Sequence, residues 1–240
     1  MAPLVAAAAT SGGLRTRYVA FGTGKYLEAS DKTSTAQNSF YTLYDDGTTS
    51  ALAGGASIPG RGRLIAGTVT TGAVTSTVTV PSFKWGRPDL DSDTSKRSGW
   101  YFDFTSTGEK SISGVNITGD QLIFGSLIPA AAGTAGSCSV GGGGGNKYQV
   151  NIDAGNGTFS VSAVGVFGEI LTFDIPSASV TSISSSTGRP VKTVTKTTVD
   201  LGAKSAKVDT TTDNTIEQSF RSGRLSWRQI NNYQDLKNAQ

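Results

Sequence analysis

Histidine is absent from the 240-residue chain, and cysteine occurs only once, at Cys138. The lack of histidine excludes Ser-His and Cys-His nucleophile systems and histidine-ligated metals. A single cysteine excludes an intrachain disulfide and a metal site built from paired cysteines. Cys138 lies among small residues with no activating histidine, which favours an exposed free thiol or an intermolecular partner over a nucleophile.

Charge and long apolar runs are also scarce. Charged residues make up 16% of the chain and the net charge is only +3, with no concentrated basic stripe, so nucleic-acid binding is not expected. No apolar run approaches the roughly 20 residues of a transmembrane helix, so no membrane span is expected. The opening "MAPLVAAAAT" lacks the basic and long apolar regions of a signal peptide. The sequence therefore predicts no export signal within this chain, and if the chain is a fragment a signal could lie upstream.

The chain is rich in residues that favour strands and turns. It has 31 glycines, and serine and threonine are abundant, a mixture that disfavours helices. Short apolar bursts between turn signals recur, as in "GWYFDFTSTGEKSISGVNITGDQLIFGSLIP", which predicts three strands. The spacing predicts an all-β fold, and it does not choose between a sandwich, a barrel and a propeller. We expect no helix longer than about three turns.

Turn residues predict where the strands are joined. "SFYTLYDDG" ends in a hairpin signal, and "DAGNG" at residues 153–157 lies between two alternating segments. The stretch "RLIAGTVTTGAVTSTVTVPSF" predicts two strands. Residues 130–145 form a Gly/Ala-rich segment that we expect to be a flexible loop, and residues 231–240 are a C-terminal tail.

Two motifs are similar to known ligand-binding patterns, but each lacks residues that its pattern requires. "FGTGKY" lacks the spacing and hydroxyl residue of a phosphate-binding loop, so its glycines indicate a tight turn. Asp89, Asp91 and Asp93 occupy the first, third and fifth positions of a calcium-loop pattern. Thr94 and Trp100 stand where that pattern needs Gly and Glu. The three aspartates are therefore weak metal candidates, and calcium removal should leave the stability almost unchanged.

No catalytic or cofactor-binding residue stands out. The carboxylates lie mostly in turns or beside lysine, and nothing marks one pair for acid–base work. Trp85 and Trp100 flank a polar loop. If both were exposed they would support carbohydrate binding, but we favour the interpretation that both are buried.

Four stretches, taken in order, resemble the C-terminal region of the PilC/PilY family of type IV pilus tip-associated proteins. They are "FGTGKYL", "SFYTLYDDG", "GWYFDF…GE" with "LIFGSLIP…C", and the terminal "GRLSWRQI". The resemblance covers nearly the whole chain, most firmly residues 18–47 and 99–138. Each motif alone is ordinary strand-and-turn sequence, whereas the ordered set is much more specific.

The resemblance implies part of a modified β-propeller with short antiparallel sheets and long Gly/Ser-rich loops. It implies export by a Gram-negative bacterium to the cell surface or pilus tip, with a periplasmic pool compatible with that route. Residues 1–240 would be the C-terminal portion of the propeller, and the family's calcium loop and adhesive N-terminal region would lie upstream. If the chain starts within a blade, the strand at Arg17–Phe21 should have an open edge, unless "MAPLVAAAAT" folds back onto it.

The sequence therefore predicts a non-enzymatic pilus tip-associated protein that acts in pilus assembly, in opposing retraction and in adhesion. Its expected partners are upstream blades of the same protein, minor pilins and a host-surface ligand, and no cofactor is expected in this segment. Two alternatives remain: a secreted carbohydrate-binding module and a quinoprotein-like propeller enzyme. The missing histidine and the scattered carboxylates disfavour the enzyme.

Overall fold

The computed structural model describes residues 5–11, 14–45, 60–86, 93–130, 143–183, 190–202, 206–209 and 216–221. Strands dominate these residues, and one 3₁₀ turn spans Ala29–Lys32. The prediction of an all-β fold is confirmed. The strands are β1 Val5–Ser11, β2 Leu14–Gly22, β3 Ser39–Asp45, β4 Leu64–Ala66, β5 Thr68–Thr70, β6 Ser76–Thr79, β7 Lys84–Trp85, β8 Lys96–Arg97, β9 Gly99–Asp103, β10 Val115–Thr118, β11 Gln121–Gly125, β12 Asn146–Asn151, β13 Gly157–Val161, β14 Phe167–Ile183, β15 Pro190–Gly202, β16 Ala206–Asp209 and β17 Ile216–Arg221.

The strands form three larger sheets and one short pair. Sheet A has the order β1-β2-β3-β9-β4, and sheet B has the order β10-β11-β12-β13-β6-β5. Sheet C has the order β14-β15-β16, with β17 also paired to β15. The pairings with a defined register are antiparallel except β4 with β9, which is parallel, and β7 and β8 form a separate parallel pair.

The main core lies between sheet A and sheet B. Phe40 of β3 stacks on Phe124 of β11, with ring centroids 3.9 Å apart. Tyr148 of β12 packs on Phe102 of β9 at 5.6 Å, and all four rings are fully buried. Aromatic rings bury large apolar areas, so they dominate the stability of this layer. Face-to-face packing of sheets is also how neighbouring blades pack in a β-propeller, the architecture that the family resemblance implies.

A buried ion pair connects sheet B to β15. The ammonium of Lys147 on β12 lies 2.8 Å from Oδ1 and 3.1 Å from Oδ2 of Asp200, and it also donates to the hydroxyl of Thr198. Thr198 and Asp200 share one face of β15 because side chains alternate along a strand. All three residues are buried.

The expected open edge at Arg17–Phe21 is not found. Strand β1 pairs antiparallel with β2 along its whole length, from Val5 opposite Ala20 to Ser11 opposite Leu14. Strand β3 pairs with the other edge of β2. The alternative, in which the N-terminal residues fold back, is therefore the correct one. Alanine is a weak strand former, but the backbone hydrogen bonds of a ladder do not depend on side-chain type.

Two hairpins form where glycine supplies the turn. The hairpin predicted at the end of "SFYTLYDDG" is not found among the described strands, because β3 pairs with β2 and β9 while the next strand, β4, pairs with β9. Thr118 and Gln121 are paired across Gly119-Asp120, and Gly119 has a φ of 62° that favours glycine. The hairpin at residues 153–157 joins β12 and β13. There Gly155 has a φ of 71°, and an added Cβ would lie 2.6 Å from Val80. No side chain fits at Gly155 without a shift of its neighbours.

The stretch predicted as two strands contains three. Strand β4 joins sheet A and β5 joins sheet B, and Gly67 separates them. The amide of Gly67 donates to the carbonyl of Tyr101 at 2.7 Å, and a Cβ there would lie 2.8 Å from Val80. The chain therefore passes between the sheets at a residue without a side chain, a close approach that alternation alone does not reveal.

The chain divides into two compact units. The first comprises Met1–Thr172 and Thr198–Asp209, and it contains sheets A and B and the buried ion pair. The second comprises Phe173–Thr197 and Thr210–Gln240. In the second unit, β15 pairs with β17 in a register that runs from Val191 opposite Arg221 to Lys196 opposite Ile216.

Candidate interaction surface

Of the three aspartates considered as metal candidates, only Asp93 lies in the described residues. Its Oδ1 accepts hydrogen bonds from the amide of Ser95 at 3.0 Å and from its hydroxyl at 2.5 Å. Lys84 contacts Oδ2 at 3.3 Å. These hydrogen bonds from Ser95, and then Lys84, lower the pKa of Asp93 to about 2. Protein donors thus already occupy both carboxylate oxygens of Asp93.

Several other predicted features fall outside the described residues. They include Asp89, Asp91, Cys138, most of the loop at residues 130–145 and the tail at residues 231–240. Within the parts that are described, no group of three or more His, Cys, Asp or Glu side chains is placed to hold a metal ion. The described helical structure contains nothing long and apolar enough to cross a membrane.

The two tryptophans anchor the hairpin between β12 and β13. Trp100 is fully buried, and its indole donates to the carbonyl of Ile152 at 3.0 Å. Trp85 is partly exposed, and its indole donates to the carbonyl of Asp153 at 3.0 Å. Tyr18 packs edge-on against Trp85 and donates to Oδ1 of Asp153. The burial predicted for Trp100 is confirmed, whereas Trp85 is covered only in part.

A buried carboxyl group joins the motifs that carry the family resemblance. Oε1 of Glu109 accepts hydrogen bonds from Ser126 at 2.5 Å, Asn146 at 2.9 Å and Tyr148 at 2.9 Å. Glu109 is 1% exposed. Burial of the phenol, and then the neighbouring Glu109, raise the pKa of Tyr148. These groups satisfy one another, so the cluster is a structural node and has no access for a substrate.

The residues after Glu109 lie against the glycines of "FGTGKY". A Cβ at Gly24, which has a φ of 132°, would lie 2.6 Å from Cβ of Lys110, and a Cβ at Gly22 would overlap Ser111. The amide of Ser111 donates to the carbonyl of Thr23 at 3.0 Å. The glycines of one motif therefore make room for the chain that follows the "GE" of another.

The face of sheet A that points away from the core carries two apolar rows between two charged rows. Side chains on neighbouring strands line up in these rows because the strands are in register. We call this surface the outward face; its apolar side chains are partly exposed except Ala66, which is exposed. The rows, in order along the strands, are Arg17 and Asp45; Val19, Leu43 and Leu64; Phe21, Tyr41, Tyr101 and Ala66; and Ser39, Asp103 and Arg61.

Arg61 closes one end of the outward face. Its guanidinium lies 4.2 Å from the centroid of Tyr101 and 2.9 Å from Oδ1 of Asp103, and its Nε donates to the hydroxyl of Tyr41. Burial would lower the pKa of Arg61, but its bonds to Asp103 and Tyr41 outweigh burial and raise it. The pKa of Asp103 is lowered: Ser39 and Arg61 overcome the effect of partial burial.

The aromatic side chains of the outward face stack on each other. Phe21 and Tyr41 have centroids 5.3 Å apart at 18°, and Tyr41 and Tyr101 have centroids 5.8 Å apart at 23°. Much of the ring faces is therefore occupied by neighbouring rings and by Arg61, and the ring edges point outward. The arrangement suits contact with another protein surface by shape and apolar burial.

Sequence reasoning did not identify the outward face. "SFYTLYD" has large side chains at both alternating positions, so it does not show that Phe40 and Thr42 are buried while Tyr41 and Leu43 are partly exposed. An alternating segment with apolar residues on both faces is itself a signal, because a strand with one solvated face normally has polar residues there.

No family model and no curated protein match the chain. Among solved structures, the C-terminal domain of PilY1 from Pseudomonas aeruginosa is similar, with 18% sequence identity and a TM-score of 0.45. The similarity covers 79% of this chain and 42% of that one, so the chain spans less than half the length of that domain.

Proposed function

We propose that the chain is a non-enzymatic, type IV pilus tip-associated protein that acts in pilus assembly, in opposing retraction and in surface adhesion. The proposal places it outside the cytoplasm, at the cell surface or pilus tip, with a periplasmic pool. Its partners would be upstream β-sheets of a longer protein, minor pilins and a host-surface ligand.

The observation that carries the proposal is the meeting of separate motifs at Glu109. Ser126 of "LIFGSLIP" donates to the glutamate of "GE", and Gly24 of "FGTGKYL" lies against Lys110. Stretches that resembled the family only by chance would not be expected to meet at one buried site. This coupling supports the ordered motifs as a family signature.

The mechanism proposed is binding by shape. The outward face offers partly exposed apolar side chains with charged residues at each end, and such a surface buries apolar area when a partner covers it. The carbohydrate-binding alternative depended on exposed Trp85 and Trp100, and Trp100 is fully buried. No feature of the described residues specifically favours the quinoprotein alternative.

The test is deletion of the gene in its source bacterium. Surface pili, measured as pilin in sheared fractions, should fall and should return when the retraction motor is also deleted. The chain should appear in the sheared pili of the parent strain. Complementation with the unaltered gene and with Thr158→Lys, which changes an exposed residue of β13, should restore piliation. Unchanged piliation together with absence of the chain from sheared pili would contradict the proposal.

A further inference from the structure

The outward face pairs unlike residues across β2 and β3. In register, Arg17 lies opposite Asp45, Val19 opposite Leu43, and Phe21 opposite Tyr41. The first pair is an ion pair with Nε 3.7 Å from Oδ2 and side chains 61% and 44% exposed. Each of these three pairs thus joins a residue on β2 to a different and complementary residue on β3.

This pairing makes the face complementary to itself. A two-fold axis that lies in the interface, parallel to the strands and between β2 and β3, exchanges the two members of each of these three pairs. It brings Arg17 of one copy over Asp45 of the other, and Val19 over Leu43. Opposite charges then meet at one end and apolar side chains meet along the middle, as an isologous interface requires.

The stacking of the rings also restricts the partner. A sugar binds an aromatic side chain over its face, and here much of that surface is taken by neighbouring rings and Arg61. Ring edges and branched aliphatic side chains instead suit packing against the face of another sheet.

We propose that the outward face of sheet A binds a second copy of this chain and forms a two-fold dimer. The proposal rests on the proposed function only in using the same surface for contact. It concerns the face of the sheet and is independent of the pairing of β1 with β2, which covers the strand edge.

The size of the face predicts a weak dimer. Four strands at about 4.8 Å and four rows at about 6.8 Å cover about 500 Å² of sheet. Stable interfaces bury about 800 Å² per partner. A face of this size therefore predicts weak, concentration-dependent association, and dense display on a surface would favour the dimer by raising the local concentration.

Sedimentation equilibrium of the full chain between about 5 and 500 µM tests this proposal. The unaltered protein should pass from monomer to dimer over this range. Leu43→Lys should weaken association about tenfold or more, because it places a charge in the middle of the apolar rows. Thr158→Lys adds the same charge at an exposed position of sheet B and should leave association unchanged.

Charge exchange provides a second, independent test. Arg17→Asp should weaken association about tenfold by placing a carboxylate against Asp45 of the other copy. The double variant Arg17→Asp, Asp45→Arg restores opposite charges and should recover it. Near-ultraviolet circular dichroism of each variant should match the unaltered protein, which separates loss of association from loss of folding.

A protein that stays monomeric up to about 500 µM would overturn the dimer, as would equal association of Leu43→Lys and Thr158→Lys. Either result leaves the pilus proposal intact, because that proposal is tested by piliation and sheared fractions. Conversely, a dimer in a chain that is absent from pili would contradict the pilus proposal alone.

Discussion

Two ion pairs of nearly equal length lie in very different surroundings. Lys147 and Asp200 are 2.8 Å apart with side chains 5% and 9% exposed, and Arg61 and Asp103 are 2.9 Å apart with side chains 40% and 42% exposed. Distance alone therefore does not set what an ion pair contributes to stability. Burial does, because water and salt screen the exposed pair and are largely absent from the other.

The buried pair is a requirement of the fold. Removing two charges from water costs energy, which their mutual attraction offsets only with good geometry. The Lys147 ammonium meets this condition with both Asp200 oxygens and the Thr198 hydroxyl. The pair therefore fixes where β15 lies against β12, and either charge left alone would be uncompensated.

The exposed pair has a different consequence. It adds little stability by itself, since exposed pairs contribute about 0–1 kcal/mol. Its guanidinium also lies over Tyr101 and contacts Tyr41, so it orders the aromatic row. The exposed pair shapes a contact surface, whereas the buried pair holds strands together.

Breaking the buried pair should have the largest effect. Lys147→Met leaves Asp200 buried without a counter-charge, so the free energy of unfolding should fall by about 3–5 kcal/mol. Urea unfolding followed by fluorescence measures the change. Lys25→Met is the control: it removes an exposed pair with Glu28 at 3.0 Å and a longer contact with Asp31 at 3.8 Å, and it should cost at most about 1 kcal/mol.

The double variant Lys147→Met, Asp200→Leu sharpens this result. It removes both charges and replaces them with apolar side chains, so most of the lost stability should return. A double variant as unstable as Lys147→Met alone would show that packing around Thr198, rather than an unpaired charge, causes the loss.

The Glu109 node should respond less strongly. Tyr148→Phe removes one of three donors to Oε1 while keeping the ring in its stack, so unfolding should become easier by about 1–2 kcal/mol. Tyr26→Phe, at a partly exposed position outside the core, should change stability by less than about 0.5 kcal/mol. Equal effects of the two variants would contradict the role given to the node.

Removing the charge of Arg61 from the exposed pair should lower the free energy of unfolding by less than the changes above. Arg61→Met retains the aliphatic stem and loses the charge, so stability should fall by about 1 kcal/mol or less. A double-mutant cycle with Asp103→Asn measures the coupling, which should shrink at about 1 M salt because the screening length is then about 3 Å. Coupling that is insensitive to salt would place this pair with the buried one.

Much of the fold could be predicted from local sequence. Gly119-Asp120 and the "DAGNG" turn mark their hairpins because a positive φ favours glycine, and Trp100 is buried as expected. These predictions depend on a few neighbouring residues, so a single sequence contains the needed information.

The pairings across the sequence could not be predicted in the same way. Lys147 meets Asp200 from 53 residues away, and Arg61 meets Asp103 from 42 residues away. Each looks like an ordinary charged residue in a polar strand or loop. Which charge becomes buried is decided when β15 packs near β12, a tertiary event that periodicity does not report. The return of β1 onto β2 does not follow from alanine's weak strand preference, because the backbone ladder that holds β1 forms with any side chain.

Lowering the pH should give the smallest of these effects, and it acts on the exposed pair of Arg61 and Asp103. Ser39 and Arg61 lower the pKa of Asp103 below its ordinary value of 3.8. Near that pH the unfolded chain binds more protons than the folded one, so the contribution of Asp103 is present above pH 3.8 and is lost as pH falls through its folded pKa. Melting temperatures at pH 5, 4, 3 and 2 should therefore show unaltered protein and Asp103→Asn converging toward low pH. Asp93→Asn should converge in the same way, down to about pH 2, because hydrogen bonds from Ser95 and contact with Lys84 lower the pKa of Asp93 to about 2. A constant difference across this range would mean that the Asp103 carboxylate gains nothing from Arg61, and the exposed pair would then be a geometric contact without electrostatic weight.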